Sequence, residues 1–150
     1  MTFTIINDGI LPGKISYSRE EYAFSTEPYP PFWNSVLVDN LEILLDIDGR
    51  VTGVCGLCPH TCWKISELVL PESNHGGVIC EKFPTFDSRI PVGIASNWNV
   101  YFDPSNGWTR IGDVGENCEN IEVVAGLVMS IGHCVLQSIW INIGTFKTGE

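Results

Sequence analysis

Apolar residues recur at every second position through much of the chain. Leu41, Ile43, Leu45 and Ile47 alternate with Glu42, Leu44, Asp46 and Asp48, the spacing of a strand with one face in the core. Asp48-Gly49 follows, a hairpin signal because glycine adopts positive φ freely. Arg50 to Cys55 then returns antiparallel. Similar patterning marks Thr2 to Ile6, Val78 to Glu81, Val92 to Asn97, Trp98 to Phe102 and Trp108 to Ile111. Asp103-Pro104-Ser105-Asn106-Gly107 supplies a dense turn between the last two. Trp63 to Leu70 mixes apolar and polar residues and fits a strand or a short helix; the strand is the favoured reading. Glu122 to Met129 and Val135 to Ile143 read as a closing hairpin around Ile131 to Cys134.

The intervening segments carry turn chemistry. Tyr17 to Pro31 is polar, aromatic and Pro-rich; one short helix is expected near Arg19 to Phe24, and Pro28, Pro30 and Pro31 stop it. Pro71 to Gly77, Lys82 to Pro91 and Asp113 to Asn120 read as loops. Turns fall about every 8–12 residues, the cadence of an all-β sandwich or barrel. The expectation is an all-β or mainly β chain, a single domain over residues 1–150. Its architecture should be an antiparallel sandwich or partly open barrel, with one short N-terminal helix at most.

Composition supports a folded chain and narrows its partners. The 150 residues are 44% hydrophobic and include five Trp, enough material for a core. Eighteen acidic residues face eight basic ones, a formal charge of −10, and no Lys or Arg occurs from Ile111 to Phe146. A folded chain with that surplus repels itself. Lys/Arg clusters, which nucleic acids and anionic membranes require, are missing. The first residues do not read as a secretory signal, since Asn7, Asp8, Gly9 and Pro12 interrupt the apolar run. No stretch reaches the ~18 apolar residues of a membrane-spanning helix. The expected compartment is the cytoplasm, with the six cysteines reduced.

Candidate chemistry concentrates in Cys55-Gly-Leu-Cys58-Pro-His60-Thr-Cys62-Trp63. Thiolates and imidazole are the ligands zinc prefers, and the Cys55–Cys58 spacing suits half of a zinc knuckle. A second ligand pair at a recognised spacing is lacking; His75 with Cys80 is the nearest approach. Cys58 and Cys62 have three intervening residues where redox dithiols have two. The plainer reading is small buried apolar side chains. No nucleophile elbow or phosphate loop is present, and His60, His75 and His133 have no nucleophile beside them in a known arrangement. Asp46 and Asp48 would share one strand face, which a solvated sheet explains as well as a catalytic pair does. Trp33, Trp98, Trp108 and Trp140 could stack a small ligand, although Trp in strands is usually core.

The acidic run Asp113, Glu116, Glu119 and Glu122 stands out as a surface. Its plain reading is a loop kept soluble by charge; its functional reading is a contact for a basic groove, with Asp46 and Asp48 as second candidates. The expectation that follows is a non-enzymatic binding protein without metal or cofactor. The alternatives are a small metal- or thiol-dependent enzyme built on Cys55, Cys58, His60 and Cys62, and a small-molecule binding module.

The chain resembles bacterial immunity proteins, including those of contact-dependent growth-inhibition and polymorphic-toxin systems. The resemblance is carried by size, acidity and β-rich pattern. It is also carried by the strand pair Val38 to Cys55 leading into Gly56-Leu-Cys58-Pro-His60-Thr-Cys62-Trp63. Ser105-Asn-Gly107-Trp108-Thr-Arg-Ile-Gly112-Asp113 ahead of an apolar hairpin ending Ser138-Ile-Trp140-Ile completes it. It implies a cytoplasmic protein that binds and blocks a basic toxin domain, a nuclease such as a tRNase, with carboxylates standing in for nucleic-acid phosphates. It transfers no role to an individual residue.

Overall fold

Period-two patterning becomes strands in the computed structural model, which describes residues 2–81 and 92–144. In chain order, the first half holds β1 (Thr2–Ile6), β2 (Leu11–Ser18), β3 (Ala23–Glu27), β4 (Asn34–Val38), β5 (Leu41–Leu45) and β6 (Val51–Leu57). A 3-10 turn at His60–Cys62 leads to the short strands β7 (Lys64–Ile65) and β8 (Asn74–His75), then β9 (Gly77–Glu81). After the undescribed segment come β10 (Val92–Ala95), β11 (Val100–Phe102), β12 (Trp108–Gly112), β13 (Glu119–Ala125), β14 (Leu127–Gly132) and β15 (Val135–Asn142). The described residues contain no α-helix.

Twelve strands follow one path, β10-β4-β5-β6-β3-β2-β13-β14-β15-β12-β11-β7, with β8 attached to β13. The sheet is mixed and curls into a half-barrel. β1 and β9 form a separate antiparallel ribbon. Hairpin neighbours pair antiparallel, as the turn chemistry requires, but β10–β4, β2–β13, β8–β13 and β7–β11 are parallel. Those pairs join segments far apart in sequence, where no tight turn forces the chain to reverse.

The predicted hairpins form with local differences. Gly49, at φ 84, closes the turn between β5 and β6. Asp46 Oδ1 accepts hydrogen bonds from the Asp48 and Arg50 N–H groups, each at 2.9 Å. This Asx-type closure lifts Ile47 out of the strand and leaves it 63% exposed. Trp108–Gly112 pairs back on Val100–Phe102 as expected. The segment read as one strand from Glu122 to Met129 is divided by Gly126 at φ 81, so β13 turns directly into β14.

Two predicted elements are replaced. Arg19 to Phe24 is not a helix: Arg19 to Tyr22 form a turn, with Tyr22 at φ 57, and β3 begins at Ala23. Phe24 and Thr26 point inward on alternate positions, so strand burial overrides the local helical option. Within Trp63 to Leu70 only Lys64–Ile65 pairs, against β11. The loop read at Lys82 to Pro91 lies outside the described residues.

One core runs through both halves of the chain. Phe24, Val36, Ile43, Leu45, Val54, Trp63, Phe102, Val123, Leu127, Met129, Ile139 and Ile141 belong to a single buried cluster. β14 is buried along its whole length. Leu127, Met129 and Ile131 face the main core, whereas Val128 packs with Trp140 and Leu68 on the opposite face. Covering both faces explains why Leu127 to Ile131 reads as nearly continuous apolar sequence.

Candidate functional site

The acidic segment links β12 to β13. Asp113 and Glu116 lie in the connecting loop and Glu119 opens β13; all three are exposed. None of the three side chains makes a hydrogen bond or ion pair with another described residue. Glu122 differs. Its Oε2 accepts the Gly126 N–H at 3.0 Å, and its Oε1 meets His75 Nε2 at 3.0 Å. It therefore stabilises the β13–β14 turn and docks β8. Asp46 is likewise occupied by its own turn, and Asp48 is exposed beside it.

The acidic segment forms a ridge between two depressions. On one side, a cleft of about 280 Å³ is lined by Val114, Cys118, Asn120, Ser138 and Trp140, and rimmed by Val69 and Pro71. On the other, a groove of about 900 Å³ is bordered by the consecutive run Phe3 to Asn7 and by Glu119, Ile121 and Ile131. Asn117 lines both. His133 and His75 also line the groove. No Lys or Arg among the described residues lines either depression.

Local structure holds this ridge in place. The β14–β15 connection turns through His133 and Cys134, both with positive φ (52 and 62), the backbone of a tight primed hairpin turn. The Phe3 N–H donates to the Cys134 carbonyl at 2.8 Å, tying β1 to that turn. At the opposite end, the Gly76 N–H donates to the Glu122 carbonyl at 3.2 Å. A Cβ on Gly76 would sit 3.0 Å from the Ile6 carbonyl oxygen and 3.2 Å from Ile121 Cγ2, so β1 and β13 converge there.

The cysteine segment serves a different end of the molecule and does not converge on one point. Cys55 Sγ donates to Glu42 Oε2 at 3.1 Å and lies 3.6 Å from the Tyr29 hydroxyl. Cys58 is buried and accepts the Trp63 indole N–H at 3.4 Å. Cys62 is exposed. Burial pushes the thiols of Cys55 and Cys58 up to about 11; the Glu42 hydrogen bond adds to the shift of Cys55. Both are therefore neutral thiols near neutral pH, whereas nucleophiles and metal ligands are thiolates. No group of three His, Cys, Asp or Glu among the described residues is placed to share a metal ion.

What organises that segment is aromatic packing. The Tyr17 hydroxyl donates to the Cys58 carbonyl at 2.7 Å and accepts the His60 N–H at 2.8 Å. Its ring packs 4.7 Å from Trp63 and 4.8 Å from Phe24. Burial pushes the Tyr17 phenol up to about 12, so it stays a neutral donor. His60 stacks on Tyr22 at 5.3 Å, and burial with nearby Arg19 lowers its pKa.

The tryptophans divide by environment. Trp63 and Trp140 are buried, Trp98 and Trp108 are half-buried, and Trp33 is 51% exposed. Sequence reading placed the ridge correctly as a loop entering a strand, but it missed both depressions. The groove depends on β1 pairing with β9, a contact across most of the chain's first half, and no local signal encodes it. No family model matches the chain, and no curated protein matches it.

Proposed function

We propose that this chain is a non-enzymatic immunity-type inhibitor that binds and blocks a basic toxin domain, a nuclease. The observation that carries the reading is the ridge. Asp113, Glu116 and Glu119 are exposed and unpaired among the described residues, on a segment that runs between two depressions whose described lining holds no Lys or Arg. Elsewhere among the described residues, Lys14 pairs with Glu27 and Arg50 with Asp8.

A nucleic-acid-binding surface carries Lys and Arg arranged for phosphates. A ridge of carboxylates flanked by recesses complements such a surface, attracting it at long range and leaving room for its walls on either side. The same charge keeps the protein itself off nucleic acid. The neutral thiols at Cys55 and Cys58 support this reading over thiol chemistry.

The test is to combine the purified protein with the basic product of its adjacent gene and follow both complex formation and nuclease activity. A stoichiometric complex that abolishes nuclease activity is expected. No complex at low ionic strength, or a complex with undiminished nuclease activity, contradicts the proposal.

A further inference from the structure

The groove between β1 and β13 is bordered by an open sheet edge. In a strand, alternate side chains point to opposite faces. Five consecutive residues, Phe3 to Asn7, line the groove, so β1 meets it with its backbone edge rather than with one face. β1 pairs only with β9 among the described strands. The Phe3 N–H points away from β9, toward Cys134. By the alternation of an antiparallel ladder, the N–H and C=O of Ile5 point the same way.

The opposite wall is also open at its start. β14 covers one side of β13 throughout. On the other side β8 covers Ile121 and Glu122 and β2 covers Val124 and Ala125, leaving Glu119 and Asn120 without a neighbour there among the described strands. β1 and β13 thus diverge from the Gly76 junction into a gap with unpaired backbone on one wall and Glu119 on the other.

The geometry points to this groove as a docking track for an extended, basic segment of the partner protein, which adds as a strand to the edge of β1. Main-chain hydrogen bonds to Ile5 supply affinity in such an arrangement, and side chains on alternate positions supply selectivity. Charge chooses the occupant: Glu119 lines the track, and no Lys or Arg borders it among the described residues. An acidic strand would meet the like charge of Glu119 there. This inference rests on the inhibitor reading and specifies how the partner is held.

The test is amide hydrogen exchange on the full chain, alone and with peptides of about ten residues, one alternating Lys with Thr and one alternating Glu with Thr. The Ile5 amide should exchange freely in the protein alone. The Lys peptide should slow it, and the Glu peptide should not. Ile5→Pro removes the outward donor at an edge position where proline is tolerated. Glu119→Lys reverses an exposed charge without touching the core. Each should weaken the Lys peptide about tenfold or more.

Slow Ile5 exchange in the free protein, absence of protection by the Lys peptide, or equal binding of both peptides overturns the docking track. The adjacent gene product separates the two proposals. If it binds and is inhibited with equal affinity by wild type, Ile5→Pro and Glu119→Lys, the track is wrong and the inhibitor reading stands. If it does not bind while the Lys peptide does, the track stands and the inhibitor reading fails.

Discussion

The hydroxyl of Thr26 serves both backbone groups of Val54, donating to its carbonyl at 2.8 Å and accepting its N–H at 2.9 Å. β3 and β6 pair backbone to backbone only at Ala23–Leu57 and Phe24–Gly56. Beyond that point a side chain replaces the missing ladder partner. Gly53 is required beside it, since any Cβ there would overlap Thr26 Oγ1. Thr26→Val keeps the shape but strands a buried donor and acceptor. It should cost about 1–3 kcal/mol, read as a lower urea midpoint at unchanged m-value. An unchanged midpoint would show that the hydroxyl is dispensable.

Glu122 and Glu116 should respond differently to the same substitution. Glu122→Lys removes the hydrogen bond to Gly126 and the contact with His75, and should destabilise the fold by about 1–2 kcal/mol. Glu116→Lys touches nothing described and should stay within about 0.5 kcal/mol of wild type. Thermal melts of the two variants compare them directly, and equal losses would contradict the assigned role of Glu122.

Asp103 gives the fold an acid-sensitive joint. Its carboxylate accepts the Ser105 hydroxyl at 2.6 Å, the Leu68 N–H at 2.9 Å and the Ser105 N–H at 2.9 Å. The Ser105 hydroxyl contributes most and the Leu68 N–H next, holding the carboxyl below its ordinary value. A depressed folded-state pKa means stability that is present above the unfolded value and lost as pH falls through the folded one. Asp103→Asn should therefore flatten the acid limb of a stability–pH curve. A parallel curve of the same steepness would refute this.

Thiol reactivity should sort the six cysteines by environment. Cys62 and Cys134 are exposed and should react first with a thiol reagent near neutral pH. Cys55, Cys58 and Cys80, each pushed up to about 11 chiefly by burial, should react fast only after unfolding. Rapid labelling of Cys58 in the native protein would revive a reactive-thiol role for that segment.

Local order was more readable from sequence than long-range pairing. The β5–β6 hairpin and the β11–β12 hairpin were visible because alternation and turn residues both act over a few positions. The helix expected near Arg19 failed because the buried alternation of Phe24 and Thr26 wins over a short polar stretch. The β14–β15 turn was placed approximately, but His133 and Cys134 carry none of the usual Asn-Gly chemistry, so its backbone was not foreseeable. The acidic run was legible as a surface. That Glu122 is occupied while Glu119 borders a groove depends on β8 and β1, which arrive from distant segments.

Association kinetics test the central claim most directly. Stopped-flow mixing with the basic product of the adjacent gene, at low and at physiological salt, compares wild type with the triple variant Asp113→Lys, Glu116→Lys, Glu119→Lys. If the ridge faces the partner, the wild-type association rate falls steeply with salt, and the triple variant associates about tenfold or more slowly at low salt. Equal rates for the two proteins, with equal salt dependence, would show that the ridge is solvated surface and lies outside the interface.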